Sequence, residues 1–383
     1  MKYAVTALFV LVAIVCGQDP RTLSLKNRIP LPYVNGRIDH FSADVKGQRI
    51  FVSALGNHTV EVLDVQSGKH LGTIADLGEP QGVYYDSSTN RLFVACALDG
   101  VTKLFDAGTL QVLETAKFSG DADNIRYDAR GRRIIVGYGD GALGFLDSNG
   151  RKMGDLALDA HPESFQLEKT GNRVFVNVPD RKEIQVADLV KNALLAKWPV
   201  TSALKNFPMA LDEAHHRLLI GCRAPARMLA VETETGKQTA SVEIVGDTDD
   251  LFYDAARSQV YVIGGQGFVD VLQQKDADHY ERTARYTTAP GARTGLFVPI
   301  GKSCLWPSPT GANSARKSSF TRLSDPCESD SLFPCSRSAS SARFPADDRA
   351  TRSGDRRKWC RGSRCGGQTK RGGGVFRDDG VRQ

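Results

Sequence analysis

Six near-copies of one short apolar strand, almost evenly spaced, predict an all-β protein of the β-propeller class. The copies read QRIFVS, NRLFVA, RRIIVG, NRVFVN, HRLLIG and SQVYVI, centred on Phe51, Phe93, Ile135, Phe175, Leu219 and Tyr261. Successive centres lie 42, 42, 40, 44 and 42 residues apart. A period of about 40–45 residues that divides into four short strands is that of a propeller blade.

Each unit repeats one internal order. Seven residues before each centre stands an acid: Asp44, Asp86, Asp128, Glu168, Asp212 and Asp254. It opens a tight turn in which the side chain can bond its own backbone and a following Gly or Asn can take positive φ. Ahead of the turn, apolar residues two apart (Val83 and Tyr85, Ile125 and Tyr127, Phe165 and Leu167) mark an inner strand. After the central run comes a third strand ending in an acid, at Asp64, Asp106, Asp147, Asp188 and Glu232, then a Gly-bearing turn and a more polar fourth strand. The units span about 36–78, 79–120, 121–160, 161–202, 203–246 and 247–289. A seventh begins at Pro290 with PGARTGLFVP, and Thr22 to Val34 reads as a lone fourth strand able to complete it. The expectation is a seven-bladed propeller with six complete blades and an incomplete seventh, over 22–300. Closing the ring in this way removes an exposed sheet edge.

The strings GNHTVEVLDVQSGK, EPQGV, DADNIRYD, HPESFQLE, NFPMALDEAHHRLLIGCR, GDTDDLFYD and DADHYER resemble extracytoplasmic bacterial propellers of the YncE-like, YVTN-repeat type. The resemblance covers about Leu23 to Pro299. It implies a seven-bladed ring and carries no established activity with it.

From about Ile300 this order stops. Residues 301–383 hold 17 Lys plus Arg against 8 Asp plus Glu, a net of +9, so the rest of the chain, 33 against 36, carries −3. The whole-chain charge of +6 is therefore a property of the tail. The tail also holds five of the eight cysteines and neither Ile nor Tyr. Such a segment buries too little apolar surface to offset its ordering entropy, so disorder is the expectation. A basic nucleic-acid arm fits it less well than a shifted reading frame. Back-translating LWPSPTG from the third base of each codon permits Val-Ala-Val-Pro-His-Arg, and ANSARKSSFT then permits Ile-Phe-Val-Tyr, the apolar strands that the seventh unit lacks.

Residues 1–17 carry Lys2, an apolar run and a small residue, Gly17, before Gln18, the outline of a secretory signal peptide. The run is too short to span a bilayer. A lipoprotein reading at Cys16 fits less well, because bulky Val15 precedes it. The expected location is periplasmic or secreted, with no transmembrane segment in the mature chain. Within the propeller only Cys96 and Cys222 remain, expected as packed thiols, and no CxxC motif argues for zinc or haem.

Propellers bind at a mouth of the central channel, where inner strands begin. Twelve residues before the centres stand Asp39, Gln81, Asp123, Glu163, Phe207 and Asp249, with Thr294 in the seventh place. One further along are His40, Asn124 and Asp250, and His161 and Arg293 lie just before the ring. Asp39, His40, Gln81, Asn124, His161, Glu163 and Arg293 are the candidate ligand-binding residues. Asp249, Asp250, Glu163 and Asn124 are the candidate ligands for a hard cation such as calcium. His215 and His216 occupy a turn position, and His58, His70 and His279 read as surface residues.

The leading expectation is a monomeric, non-enzymatic binding or scaffold propeller that takes a small ligand or an envelope protein or peptide at the polar mouth, and no nucleic acid. The alternative is a calcium-dependent lactonase-like hydrolase with Asp39 as base, an analogy of fold alone. A quinone dehydrogenase is disfavoured, since only Trp198 falls inside the ring. Resequencing the coding region around Ile300 checks the tail: a single-base shift restoring the apolar strands is expected, and an intact frame with tail peptides detected in the mature protein excludes it.

Overall fold

The computed structural model describes residues 23–298 and the strands Ser303–Thr310 and Lys317–Ser324. The expected signal peptide and the tail beyond 324 lie outside the described residues. Six antiparallel sheets follow one another along the chain, each made of four consecutive strands. Blade 1 consists of Phe41–Asp44, Arg49–Ala54, Thr59–Asp64 and His70–Ile74. The inner strands of blades 2 to 6 are Pro80–Asp86, Ile125–Asp128, Phe165–Leu167, Leu204–Asp212 and Thr248–Asp254. Among the described residues the only helical segments are two single turns, Leu55–Asn57 and Pro179–Arg181.

The structure therefore shows six blades of the expected kind rather than seven. The remaining strands form a sheet of composite origin, in the order Ser24–Leu31, Lys317–Ser324, Ser303–Thr310, Leu296–Val298. Its outer strand comes from the start of the chain, as Thr22–Val34 suggested, pairing Ile29 with Phe320 and Leu31 with Ser318. Its two middle strands fall where the repeat order breaks down. The expectation that the tail leaves the fold at 301 thus differs from the backbone, which continues in strands to Ser324. One of these, Ser303–Thr310, is an interior strand carrying Pro307 and Pro309, neither of which can donate to a ladder.

The second strand of each blade explains the packing. Phe51, Phe93, Ile135, Phe175, Leu219 and Tyr261 are each 0–2% exposed, and so are their neighbours on the opposite face, such as Ile50, Val52, Leu92 and Val94. A strand that is apolar on both sides needs a sheet on each side. Apolar cores accordingly fill every junction between successive blades; one joins Phe51 and Val60 of blade 1 to Leu92 and Val94 of blade 2. Two more tie the composite sheet in. Ile29, Leu31 and Val298 pack on Ile50 and Val52, and Leu23 packs with Tyr261 and Ile263 of blade 6, where Phe297 joins them.

The acid that opens each turn has a second task. In blade 3, Asp128 Oδ1 accepts the Gly131 amide at 2.9 Å while Oδ2 accepts Arg133 Nε at 2.9 Å. Arg133 continues to the next blade, donating to the Leu189 carbonyl at 2.9 Å with its guanidinium 4.0 Å from the centre of the Phe145 ring. Arg49 links Asp44 to the Ala107 carbonyl, and Arg173 links Glu168 to the Thr233 carbonyl, in the same way. The turn glycine is required by close approach: a Cβ on Gly47 would lie 2.1 Å from Asp44 Oδ2. His216 takes φ 54° at such a turn, and His215 caps Asp212, which accounts for both histidines without a metal.

Replacing Arg133 by Ala is expected to cost about 2–3 kcal/mol in urea unfolding, because it strips a buried carboxylate of its cation and a carbonyl of its donor. The exposed control Lys117→Ala is expected to stay within about 0.5 kcal/mol.

Candidate functional site

Every inner strand has an irregularity where it enters the channel. In blades 2, 5 and 6 the pairing register slips between Pro80 and Val83, Asn206 and Met209, and Thr248 and Asp250. In blades 1, 3 and 4 two residues face one across the ladder: Asp39 and His40 bond Ser53, Asp123 and Asn124 bond Gly137, and Glu163 and Ser164 bond Asn177. Such bulges re-aim side chains. Here they separate two rings. Asp39, Gln81, Asp123, Glu163, Phe207 and Asp249 line an outer cavity of about 180 Å3, and Arg37, Asp121, His161, Arg223 and Arg293 join them. The next residues along, His40, Gly82, Asn124, Ser164, Pro208, Asp250 and Gly295, line an inner cavity of about 210 Å3. His40 borders both and forms the waist between them. Thr294 does not line the mouth; it is fully buried and donates to the Ile38 carbonyl. Gly82 is needed because a Cβ there would lie 2.0 Å from the Asp123 carbonyl of the adjoining blade.

The mouth combines satisfied arginines with unsatisfied acids. Arg37 bonds Asp39 Oδ2 at 2.8 Å, Arg223 bonds Asp249 Oδ1 at 2.5 Å while lying over the Phe207 ring, and Arg293 meets Asp247 at 3.1 Å. Gln81 donates to Asp121 at 3.2 Å, and His161 Nδ1 lies 2.7 Å from the Gly139 carbonyl. By contrast Asp39 Oδ1, Asp123 Oδ1 and Asn124 Oδ1 are buried and accept no hydrogen bond from the protein. His40 sits among these groups. Its Nε2 is 3.9 Å from both Asp39 Oδ1 and Asp123 Oδ1, and its Nδ1 is 3.6 Å from Asp250 Oδ1.

The charges shift one another. Burial lowers the His40 pKa, but the Asp250, Asp39 and Asp123 carboxylates outweigh it and raise the imidazole to about 10, so it is a cation at neutral pH. Burial pushes Asp123 up to about 7, helped by Glu163 and Asp39 and opposed by His40. Burial together with Asp249 likewise lifts Glu163 to about 7, against the pull of Arg223 and His40. Asp249 is raised by burial to about 6 in spite of Arg223. Two carboxyls close to neutrality can hold or release a proton at physiological pH.

The residues assigned to a cation do not converge. Asp249 and Glu163 line the outer cavity, Asn124 and Asp250 the inner one, and Asp249 is already held by Arg223. Among the described residues no cluster of three or more His, Cys, Asp or Glu side chains has the geometry to hold a metal ion. The donor set therefore does not fit calcium. Arg37, Asp121, Arg223 and Arg126 are site residues that the count from strand centres missed. Arg126 was within reach of that count, two residues beyond Asn124 on the same strand. Cys96 and Cys222 are separate buried thiols, each pushed up to about 12 by burial.

No family model matches the chain. A stretch of 114 residues, 30% of this chain, is 29% identical to the WD repeat-containing protein AAC3 of Dictyostelium discoideum and spans 24% of that protein's length. Among solved structures, Kuenenia stuttgartiensis hydrazine synthase aligns over 76% of this chain and 96% of its own, with a TM-score of 0.63 and 16% identity. A chain of the mitotic checkpoint complex aligns over 85% of this chain and all of its own, with a TM-score of 0.65 and 12% identity. The chain is a β-propeller, with a weak likeness to one WD repeat-containing protein over 30% of its length. No described helix is long and apolar enough to cross a membrane.

Above about pH 7, where the raised acids Asp123, Glu163 and Asp249 have ionised, the pH dependence of stability follows from His40. Its folded pKa lies above the unfolded value near 6.5, so its contribution is complete below about pH 6.5 and is lost as pH rises through about 10. Urea unfolding between about pH 7.5 and 10 is expected to show this decline in the native protein and a flatter profile in His40→Gln.

Proposed function

We propose that the protein is a binding propeller acting outside the cytoplasm, whose channel mouth takes a small ligand or peptide end presenting N–H or O–H donors. The observation that carries this reading is the pair of enclosed oxygens at the mouth, Asp39 Oδ1 and Asp123 Oδ1, which no donor among the described residues reaches; Asn124 Oδ1 is left over in the same way on the inner side. A buried acceptor left without a donor costs about 1–3 kcal/mol. A donor-bearing ligand recovers that cost on binding, whereas the mouth arginines already have carboxylate partners. An ammonium group suits the site best, because it brings donors to these oxygens and a positive charge to a mouth lined by several carboxyl groups.

The likeness to WD-repeat propellers supports a binding scaffold, and the leader-like start of the sequence supports an envelope location. In this reading the composite sheet stands in the place of a seventh blade, as the YncE-like resemblance implies, and the chain from about Ile300 onward, the two middle strands of that sheet included, is the product of a shifted frame. The negative balance of the chain outside the tail argues against a nucleic-acid partner. Binding is preferred to hydrolysis because the hydrolase rests on analogy of fold alone.

Calorimetric titration of the full chain with ethanolamine, glycinamide and a short peptide tests this. At least one is expected to bind with Kd of about 1 mM or tighter, and Asp39→Asn is expected to weaken it about tenfold, the worth of one charge-assisted hydrogen bond. Absence of binding by all three, or unchanged binding in the Asp39→Asn, Asp123→Asn double variant, rejects the reading. Steady turnover of simple lactones, abolished in the same variant, would replace it with the hydrolase.

A further inference from the structure

Below His40 the inner cavity holds a cation, Arg126, that forms no ion pair with any described carboxylate. Arg126 enters it from the inner strand Ile125–Asp128, and its guanidinium lies 5.5 Å from the centre of the Phe165 ring. A guanidinium carries five N–H donors and a permanent charge. Nη1 donates to the Ile125 carbonyl at 2.8 Å and Nη2 reaches Ser164 Oγ at 3.5 Å, and the remaining donors have no protein acceptor among the described residues. No described carboxylate lies within 4.0 Å of it. Arg37, Arg223 and Arg293 at the mouth all have one.

Asp250 is the carboxylate that lines the inner cavity, and it is committed elsewhere. Its Oδ2 accepts the Gly295 amide at 2.7 Å, and its Oδ1 faces His40 at 3.6 Å. Arg126 thus shares the one acid of its own cavity with the cationic His40, which also faces Asp39 and Asp123 at the mouth. Burial depresses the Arg126 pKa, with Asp250 and Asp123 opposing it, as expected where a cation lacks a close partner. A part-buried charge of this kind is costly unless a counter-charge reaches it.

We infer that the inner chamber is an anion site, in which Arg126, with Ser164 beside it, takes a small carboxylate or inorganic oxyanion through the forked geometry of the guanidinium. At about 210 Å3 the chamber has room for a group of that size and several waters, each needing about 30 Å3. A planar carboxylate matches the fork in two parallel bonds and satisfies donors that the protein leaves over. The mouth acids line the other cavity and none of them forms an ion pair with Arg126, although the Asp123 charge is felt there. This site therefore stands or falls apart from the reading of the mouth.

The test uses the full-length protein at fixed ionic strength. Sodium acetate, sodium phosphate and sodium chloride are titrated separately against the native protein, Arg126→Gln and the exposed control Lys117→Ala, following both heat and melting temperature. Acetate or phosphate is expected to bind the native protein and Lys117→Ala alike and to bind Arg126→Gln at least about tenfold more weakly, the loss of a charge-assisted pair. The better of the two probes identifies the source as a carboxylate or a phosphate. Arg126→Lys, which keeps the charge and loses the fork, is expected to fall between. If Arg126→Gln does not fold, bromide soaked into crystals of the native protein gives the answer through its anomalous signal at the guanidinium. Equal binding to native protein and Arg126→Gln, an effect of chloride equal to that of both oxyanions, or bromide density only elsewhere, overturns the inference.

Discussion

The structure depends on the second strand of each blade being apolar on both faces. A strand such as Arg49–Ala54, with Phe51 and Val52 fully buried on opposite sides, cannot lie at the surface of anything. Each sheet must be covered by one neighbour in front and another behind, and for a chain of similar sheets a ring meets that demand without exposing an end. The arginine that bridges an acid on its own turn to a carbonyl of the following blade then sets the lateral register. Greasy faces supply the attraction, and these few polar ties fix how far one sheet slides over the next.

Ring closure has a chemical consequence at the axis. Inner strands brought together must avoid a collision of side chains, and they meet it with bulges at their entry and with small residues such as Gly82 and Ser164. The bulge divides alternate residues between an outer and an inner cavity. Side chains one position apart in sequence, Asp249 and Asp250 or Asp123 and Asn124, therefore face different spaces. Placing several acids there would be unfavourable by itself, and His40 offsets it by standing within 4 Å of three of them. The imidazolium and the acids define each other's protonation, so removing either changes both.

Much of this was legible in the sequence. The repeat interval gave the blades, the acid seven residues before each centre gave the turns, and counting twelve back reached the residues that line the mouth, because a β-strand has a fixed rise and a fixed alternation. The metal assignment failed to find a matching geometry because it treated Asp249, Asp250, Glu163 and Asn124 as one cluster, and a bulge reverses which face a residue occupies. Periodicity carries no sign of a bulge until pairing partners are known. Arg37 and Arg223 were missed for another reason: they reach the mouth from outside the inner strands, at lengths only a long side chain covers. The seventh sheet is the least readable part, since its strands come from both sides of the point where the repeat order ends.

The composite sheet also bears on how the ring holds together. The six regular blades each close locally, with all four strands drawn from about forty consecutive residues, whereas this sheet needs Ser24–Leu31 to meet Lys317–Ser324, nearly three hundred residues away. Loop-closure entropy grows only slowly with such a separation, so distance alone is no obstacle. The weakness lies in the ladder. Pro307 and Pro309 remove two donors from an interior strand, and carbonyls opposite them must find partners elsewhere. The strand that closes the ring lies outside that gap: Ser24–Leu31 pairs with Lys317–Ser324 from Ser24 to Leu31, and neither Pro307 nor Pro309 belongs to this ladder. Closure therefore combines that ladder with apolar contacts on both sides, Ile29, Leu31 and Val298 against blade 1 and Leu23 with Phe297 against blade 6.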